Sequence, residues 1–182
     1  MIREYLSKAK IILDLDSNLY LGGSLGRFLY DWEDGLIGSV IDSNEYNLDN
    51  HIDTITGNKI GDIDICYYKD LDISKIVSKL RSKKFKIKEK SVLPNIRIPV
   101  HIKMGDIEYL QEEIYEINIF SKTLNKNIKV HFIKNKYKWS EYGVINYNNF
   151  NYKIPYGRKN FPFCKLWKYW LKNWKKENTT VI

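Results

Sequence analysis

The stretch LGGSLGRFLYDW, residues 21–32, places three glycines within five positions and then continues into an apolar, aromatic segment. The whole chain has only 10 glycines among its 182 residues, so their concentration here calls for a local reason. Glycines let the backbone approach a ligand closely and adopt positive φ without strain at Cβ. The turn Gly22, Gly23, Ser24 lies between a short predicted strand and a predicted helix that Ser24 can cap. The start of such a helix presents unpaired N–H groups and a positive dipole end, which suits a phosphate.

Arg27 lies about one turn into the predicted helix and could bind the same anion through two parallel hydrogen bonds. We therefore predict that Gly22, Gly23, Ser24 and Arg27 bind a nucleotide. A tight turn without any ligand is the alternative explanation of the same glycines. The turn by itself does not separate these two interpretations.

A second motif, GDIDICY at residues 61–67, is typical of a strand. Alternate residues of a strand point to the same face, so Asp62 and Asp64 project together while Ile63 and Ile65 face the core. Two carboxylates at such a short separation raise each other's pKa unless a cation lies between them. Mg²⁺ is a hard cation that takes carboxylate oxygens together with phosphate oxygens and water. Solvated acids on a surface strand are the alternative, although aspartate is disfavoured in strands.

Together, GGSLGR at 22–27 and GDIDICY at 61–67 resemble the nucleotidyltransferase superfamily, which includes DNA polymerase beta, CCA-adding enzymes and poly(A) polymerases. The resemblance covers about residues 15–135 and implies that the glycine turn holds a triphosphate. It also implies that Asp62 and Asp64 are catalytic residues that bind Mg²⁺ or Mn²⁺. In that family the metal ions activate an acceptor hydroxyl and stabilise the departing pyrophosphate.

Two features depart from the family pattern. The separation between the two motifs is longer than usual, which we assign to an insertion at about residues 33–60. The family also has a third carboxylate on a later strand, and the corresponding position here is His131, a poorer ligand for Mg²⁺. His131 could act as the general base or be an ordinary strand residue. A neighbouring acid could replace the missing carboxylate, and the candidates are Asp106, Glu108 and Glu116.

The order of the predicted elements indicates an α+β fold with a mixed β-sheet. The resemblance implies that helices flank this sheet in a nucleotidyltransferase-like core. We predict this core over residues 1–135 and a basic, aromatic C-terminal extension over residues 136–182 that packs on it. The predicted helices are 2–14, 24–32, 72–85 and 163–176, and the predicted strands are 62–68, 86–92, 96–103, 115–120 and 128–134. The last two strands are expected to form a hairpin around a turn at 125–127.

Charge is unevenly distributed along the chain. Residues 121–182 carry 14 Lys or Arg and 2 Asp or Glu, whereas the preceding residues carry 16 and 20. A basic region of this kind predicts a polyanion partner, and we expect RNA or another nucleic acid there. The basic amphipathic helix predicted at 163–176 is expected to dock its tryptophans on the core, with base stacking or membrane binding as alternatives. Residues 152–161 are predicted to form a basic, aromatic loop.

Composition also limits the cellular setting. Cys66 and Cys164 are the only cysteines and provide neither a disulfide framework nor a set of zinc ligands. No apolar run approaches the roughly 18 residues that a membrane span needs. The first residues lack the apolar block of a secretory signal. We therefore expect a cytoplasmic protein without a membrane partner.

The sequence therefore predicts a metal-dependent nucleotidyltransferase that moves a nucleoside monophosphate from an NTP to a hydroxyl acceptor, with RNA favoured as the acceptor. One alternative is a catalytically inactive protein of the same fold that binds nucleotide or RNA as a regulatory partner. The histidine at the third position favours that alternative. Another is a toxin that modifies tRNA or protein by the same chemistry.

Overall fold

The computed structural model describes residues 2–33, 61–89, 101–104, 107–139 and 142–155. Most of the predicted insertion (34–60), Asp106 and the predicted C-terminal helix (163–176) lie outside these residues. The described elements are, in chain order, α1 (Ile2–Leu13), β1 (Tyr20–Gly22), α2 (Gly23–Glu33), β2 (Asp62–Tyr67), α3 (Ile73–Ser82), β3 (Ile87–Glu89), β4 (His101–Met104), β5 (Ile107–Ser121), β6 (Lys126–Asn135), β7 (Tyr142–Tyr147) and β8 (Phe150–Pro155).

The larger sheet has the strand order β1-β2-β6-β5-β3, and β4 pairs with the first part of β5. Strands β2 and β6 are parallel, whereas the other strand pairs that the structure describes are antiparallel. A parallel neighbour needs a crossover connection, and the chain between β2 and β6 provides it through α3 and the intervening strands. The predicted α+β class with a mixed sheet is therefore confirmed.

The hairpin formed by β5 and β6 is confirmed, but its turn differs from the prediction. The turn lies at residues 122–125 and not at 125–127. The hydroxyl of Ser121 accepts a hydrogen bond from the N–H of Leu124 at 3.2 Å, and Asn125 closes the turn with φ +50°. Asparagine tolerates the left-handed conformation, so this turn chemistry sets the register of the hairpin.

Strand β5 is longer than the predicted strand at 115–120. It begins at Ile107 because its first residues pair with β4, whose Ile102 lies opposite Tyr109. Hydrogen bonds to β4 extend the strand through a polar stretch that apolar alternation does not mark. A shift of register between Gln111 and Glu113 separates this part from the part paired with β6.

The core lies where the helices cover the sheet. Ile63 and Ile65 of β2 and Phe132 of β6 are fully buried. Helix α1 buries the apolar face predicted for it, and α3 begins after Asp72, whose side chain accepts from the N–H of Lys75 as expected of an N-cap. Among the helices in the described ranges, none has the length and apolar character of a membrane span.

The hairpin of β7 and β8 corrects the prediction of a loop at 152–161, because residues 152–155 belong to β8. Asn148 and Asn149 both have positive φ, of 49° and 62°, which is the pattern of the two-residue turn that joins twisted antiparallel strands. Alternate residues of β8 then face inward, and Tyr152 and Ile154 are buried in the same core as α1 and β2.

Candidate functional site

Asp64 lies directly beside the glycine turn. Strand β1 pairs antiparallel with β2, and this pairing sets Gly22 opposite Asp64. The next residue, Gly23, has φ +60°, and a Cβ at this position would overlap the carboxylate of Asp64. Any other residue would need both the left-handed backbone and the space that Asp64 occupies. The turn at the start of α2 therefore requires glycine because the acid of the second motif packs against it.

Helix α2 starts one residue earlier than predicted. It begins at Gly23, so Ser24 lies half-buried in its first turn and does not precede it as an N-cap. A Cβ at Gly26 would lie 2.6 Å from the carbonyl oxygen of Leu21, so the helix packs closely on β1. Arg27 follows in the same helix. This packing directs the N-terminus of α2 to the same edge as Asp64.

The two aspartates share one face of β2, as predicted. Asp62 and Asp64 are half-buried, whereas Ile63 and Ile65 between and after them are fully buried on the other face. Parallel pairing with β6 places His131 opposite Asp64. Nδ1 of His131 lies 3.3 Å from Oδ1 of Asp64 and 3.6 Å from Oδ2 of Asp62. Each of the three side chains offers one ligand atom, and these atoms lie within 4.8 Å of one another.

A further acid lies behind the histidine. Glu116 of β5 is paired with His131 across the hairpin, and its Oε1 lies 2.8 Å from Nε2 of His131. Glu116 is only 4 % exposed, and Nζ of Lys129 lies 3.9 Å from the same oxygen. Carboxylates therefore contact both ring nitrogens of His131.

These contacts change the protonation of His131. Burial of the ring lowers its pKa, but the hydrogen bonds and charges of Asp64, Glu116 and Asp62 outweigh burial and raise the pKa to about 9. At neutral pH the metal-free protein therefore holds an imidazolium whose two N–H groups donate to Asp64 and Glu116. Three carboxylates surround this single ring, so the cluster keeps an excess of negative charge that attracts a cation.

Of the three acids considered as replacements for the family's third carboxylate, the structure brings Glu116 to His131. Glu108 belongs to the part of β5 that pairs with Lys103 of β4, and strand geometry separates it from Glu116 by roughly 25 Å. Glu116 was predicted as one possible replacement, but its pairing with His131 was not, because the turn was predicted too late in the chain. A turn centred between residues 123 and 124 pairs positions 116 and 131.

Cys66 and Pro155 also lie against the glycine turn and were not predicted to do so. A Cβ at Gly22 would lie 2.6 Å from Sγ of Cys66 and 3.8 Å from Cγ of Pro155. Burial raises the pKa of the Cys66 thiol, so it stays protonated and packs as a small apolar group. The two residues enclose the turn from the side of β2 and from the end of β8.

The chain matches no family model, no curated protein and no solved structure. The resemblance to nucleotidyltransferases therefore rests on the two sequence motifs. The structure adds that Gly23 and Asp64, 41 positions apart in the sequence, are packed against each other.

Proposed function

We propose that this protein transfers a nucleoside monophosphate from an NTP to a hydroxyl acceptor, with a divalent cation held by Asp62 and Asp64. One observation carries this proposal. The acid pair lies beside the glycine turn at the start of α2, so a cation on the acids and a phosphate on the turn would be neighbours. Nucleotidyl transfer needs this arrangement, because the cation must bind oxygens of the triphosphate.

The donor atoms fit a divalent cation. Asp62 and Asp64 supply hard, charged oxygens, and Nδ1 of His131 adds a nitrogen within the same 4.8 Å group. Carboxylate oxygens suit Mg²⁺ and Mn²⁺, and an imidazole ligand favours Mn²⁺ of the two. A cation held there would neutralise the triphosphate and stabilise the attacking and departing oxygens.

The glycine turn would bind the triphosphate. The first N–H groups of a helix have no partner inside the helix, and those of α2 begin at Gly23 and Ser24. Their positive end attracts phosphate oxygens, and the carboxylate of Asp64 beside Gly23 would place the cation next to the bound phosphate. The resemblance assigns Gly22 and Arg27 to the same phosphates.

His131 and Glu116 would take the place of the third carboxylate. When Nε2 donates its hydrogen to Glu116, the neutral ring presents the lone pair of Nδ1 to Asp62 and Asp64. A carboxylate behind a histidine fixes the tautomer and the ring orientation in this way. Nδ1 can then bind the cation or accept the proton of the acceptor hydroxyl. Glu116 acts through His131 and is a positioning residue.

A second candidate function has its own support. The imidazolium of His131 already pairs with Asp64 and Asp62 in the metal-free protein, so it offsets part of their negative charge without a cation. A protein in which this ion pair persists would bind nucleotide or RNA as a regulatory partner without turnover. This candidate predicts nucleotide binding with little dependence on Mg²⁺ or Mn²⁺ and with no product.

The test is nucleotide incorporation by the whole chain. Protein, α-labelled NTPs, total RNA and either Mg²⁺ or Mn²⁺ are incubated, and label in the RNA is measured. We expect label from the native protein and none from D62N/D64N. The matched control, D14N/D70N, removes the same charge from two exposed positions and should label normally. Equal labelling by D62N/D64N would contradict the proposal, and calorimetric NTP binding without product would favour the regulatory candidate.

A further inference from the structure

A cavity of about 280 Å³ lies between α1 and the β7–β8 hairpin and shares no residue with the carboxylate cluster. Its rim on the helix side comes from Arg3, Ser7 and Lys10. Their spacing places all three on one face of α1, with Arg3 and Lys10 about 10 Å apart along the helix axis. Asn148 of the hairpin turn forms the facing rim. All four rim residues are exposed.

The floor of the cavity is buried and held in place. Leu6, Tyr147 and Tyr152 line it, and each is less than a tenth exposed. The hydroxyl of Tyr152 donates to the carbonyl oxygen of Leu6 at 3.3 Å, which ties the hairpin to α1. Nζ of Lys10 lies 5.4 Å over the ring of Phe150, so this ammonium group is directed to the hairpin side. The cavity therefore lies between two elements that are packed and hydrogen-bonded to each other.

The lining is chemically complementary to an oxyanion. Among the described residues that line the cavity none is acidic, while Arg3 and Lys10 supply two cations and Ser7 and Asn148 supply a hydroxyl and an amide. Guanidinium, ammonium, hydroxyl and amide groups are the side-chain donors that bind phosphate oxygens. The volume is below the range of about 300–1,000 Å³ that holds a drug-sized ligand. A single phosphate with part of its sugar fits this size better than a complete NTP.

We propose that this cavity binds one phosphate of the nucleic-acid strand that carries the acceptor hydroxyl. The role of the strand as acceptor rests on the proposed function, whereas phosphate binding by the cavity does not. The cavity and the glycine turn lie towards opposite ends of β8, since Tyr152 lines the cavity and Pro155 packs against Gly22. Three residues of strand separate Tyr152 and Pro155 by about 10 Å.

The test measures binding of a labelled single-stranded RNA by fluorescence anisotropy, with the whole chain and with EDTA present to prevent turnover. We expect R3Q/K10Q to weaken binding about tenfold, because charge-assisted contacts to one phosphate are lost. The slope of log K against log salt should become less negative by about 0.7.

The control K75Q/K79Q removes the same charge from exposed positions of α3 and should bind like the native protein. The charge-conserving R3K/K10R should retain most of the affinity, and its far-ultraviolet circular dichroism should match that of R3Q/K10Q.

Equal weakening by R3Q/K10Q and K75Q/K79Q would overturn the inference, because overall charge would then explain binding. If inorganic phosphate or AMP competed at the same concentration as unlabelled RNA, the cavity would bind phosphate of any origin, and its assignment to a nucleic-acid strand would be overturned. If no protein incorporates label but R3Q/K10Q alone weakens RNA binding, the phosphate site is supported and the proposed transfer reaction fails.

Discussion

The carboxylate of Asp64 occupies the space that a side chain at Gly23 would need. The two residues belong to different motifs and meet because β1 and β2 are antiparallel neighbours, with Gly22 opposite Asp64. A positive φ of 60° adds a second reason for glycine at position 23.

Replacing Gly23 by alanine should destabilise the protein. The left-handed backbone costs about 1–2 kcal/mol for a residue with a Cβ, and displacement of Asp64 adds to this cost. Urea unfolding, followed by circular dichroism, measures the change. The control is G61A, because nothing lies within 4 Å of a Cβ at Gly61. We expect G61A to be close to native in stability, and a G23A protein as stable as G61A would contradict the observed packing.

The free energy of unfolding of the metal-free protein should fall as the pH rises. The pKa of His131 is raised from 6.5 to about 9 in the folded protein, so folding favours the protonated ring. This contribution is fully present below pH 6.5 and is lost as the pH rises to about 9, with an upper value of about 3 kcal/mol. Unfolding in urea with EDTA at pH 6, 7.5 and 9 measures it. The H131Q protein should show a flatter dependence over this interval, and an equally steep one would exclude His131 as its source.

Replacing Glu116 by glutamine should weaken metal binding or activity about 10–100-fold, because the partner that orients His131 loses its charge. Nuclear magnetic resonance titration of the His131 ring provides a second measurement, since loss of the Glu116 charge should lower its pKa. A purely structural role of Glu116 would leave that pKa unchanged. The control is E113Q, which alters an exposed acid on the same strand and should leave both measurements unchanged.

The identity of the third ligand should set the preference for the cation. Because an imidazole nitrogen favours Mn²⁺ over Mg²⁺, the native protein should incorporate more label with Mn²⁺. In H131D, all three side chains that could bind the cation would be carboxylates. The cation preference of this variant should therefore shift towards Mg²⁺. The ratio of the two rates, measured at saturating cation, tests this. An unchanged ratio in H131D would show that His131 does not contact the cation.

Local patterns in the sequence were sufficient for much of the fold. Alternation in DIDIC places Asp62 and Asp64 on one face and Ile63 and Ile65 on the other, and strand geometry alone requires this. The apolar spacing of α1 and the cap of α3 at Asp72 are equally local. The β7–β8 hairpin is local as well, and its Asn148–Asn149 turn was a signal that the interpretation as a loop overlooked.

Contacts between distant segments were decided only by the tertiary structure. Nothing near Gly23 in the sequence indicates that Asp64 would fill the space beside it, because that space exists only once β1 and β2 pair. The contacts of His131 with Asp64 and Glu116 depend on two strand registers, and a turn predicted a few residues away would give His131 a different neighbour. Sequence determined which side chains share a face, since that depends on backbone geometry over a few residues. Packing of the whole core determined which faces of the helices and strands contact each other. The cavity between α1 and the β7–β8 hairpin results from that packing.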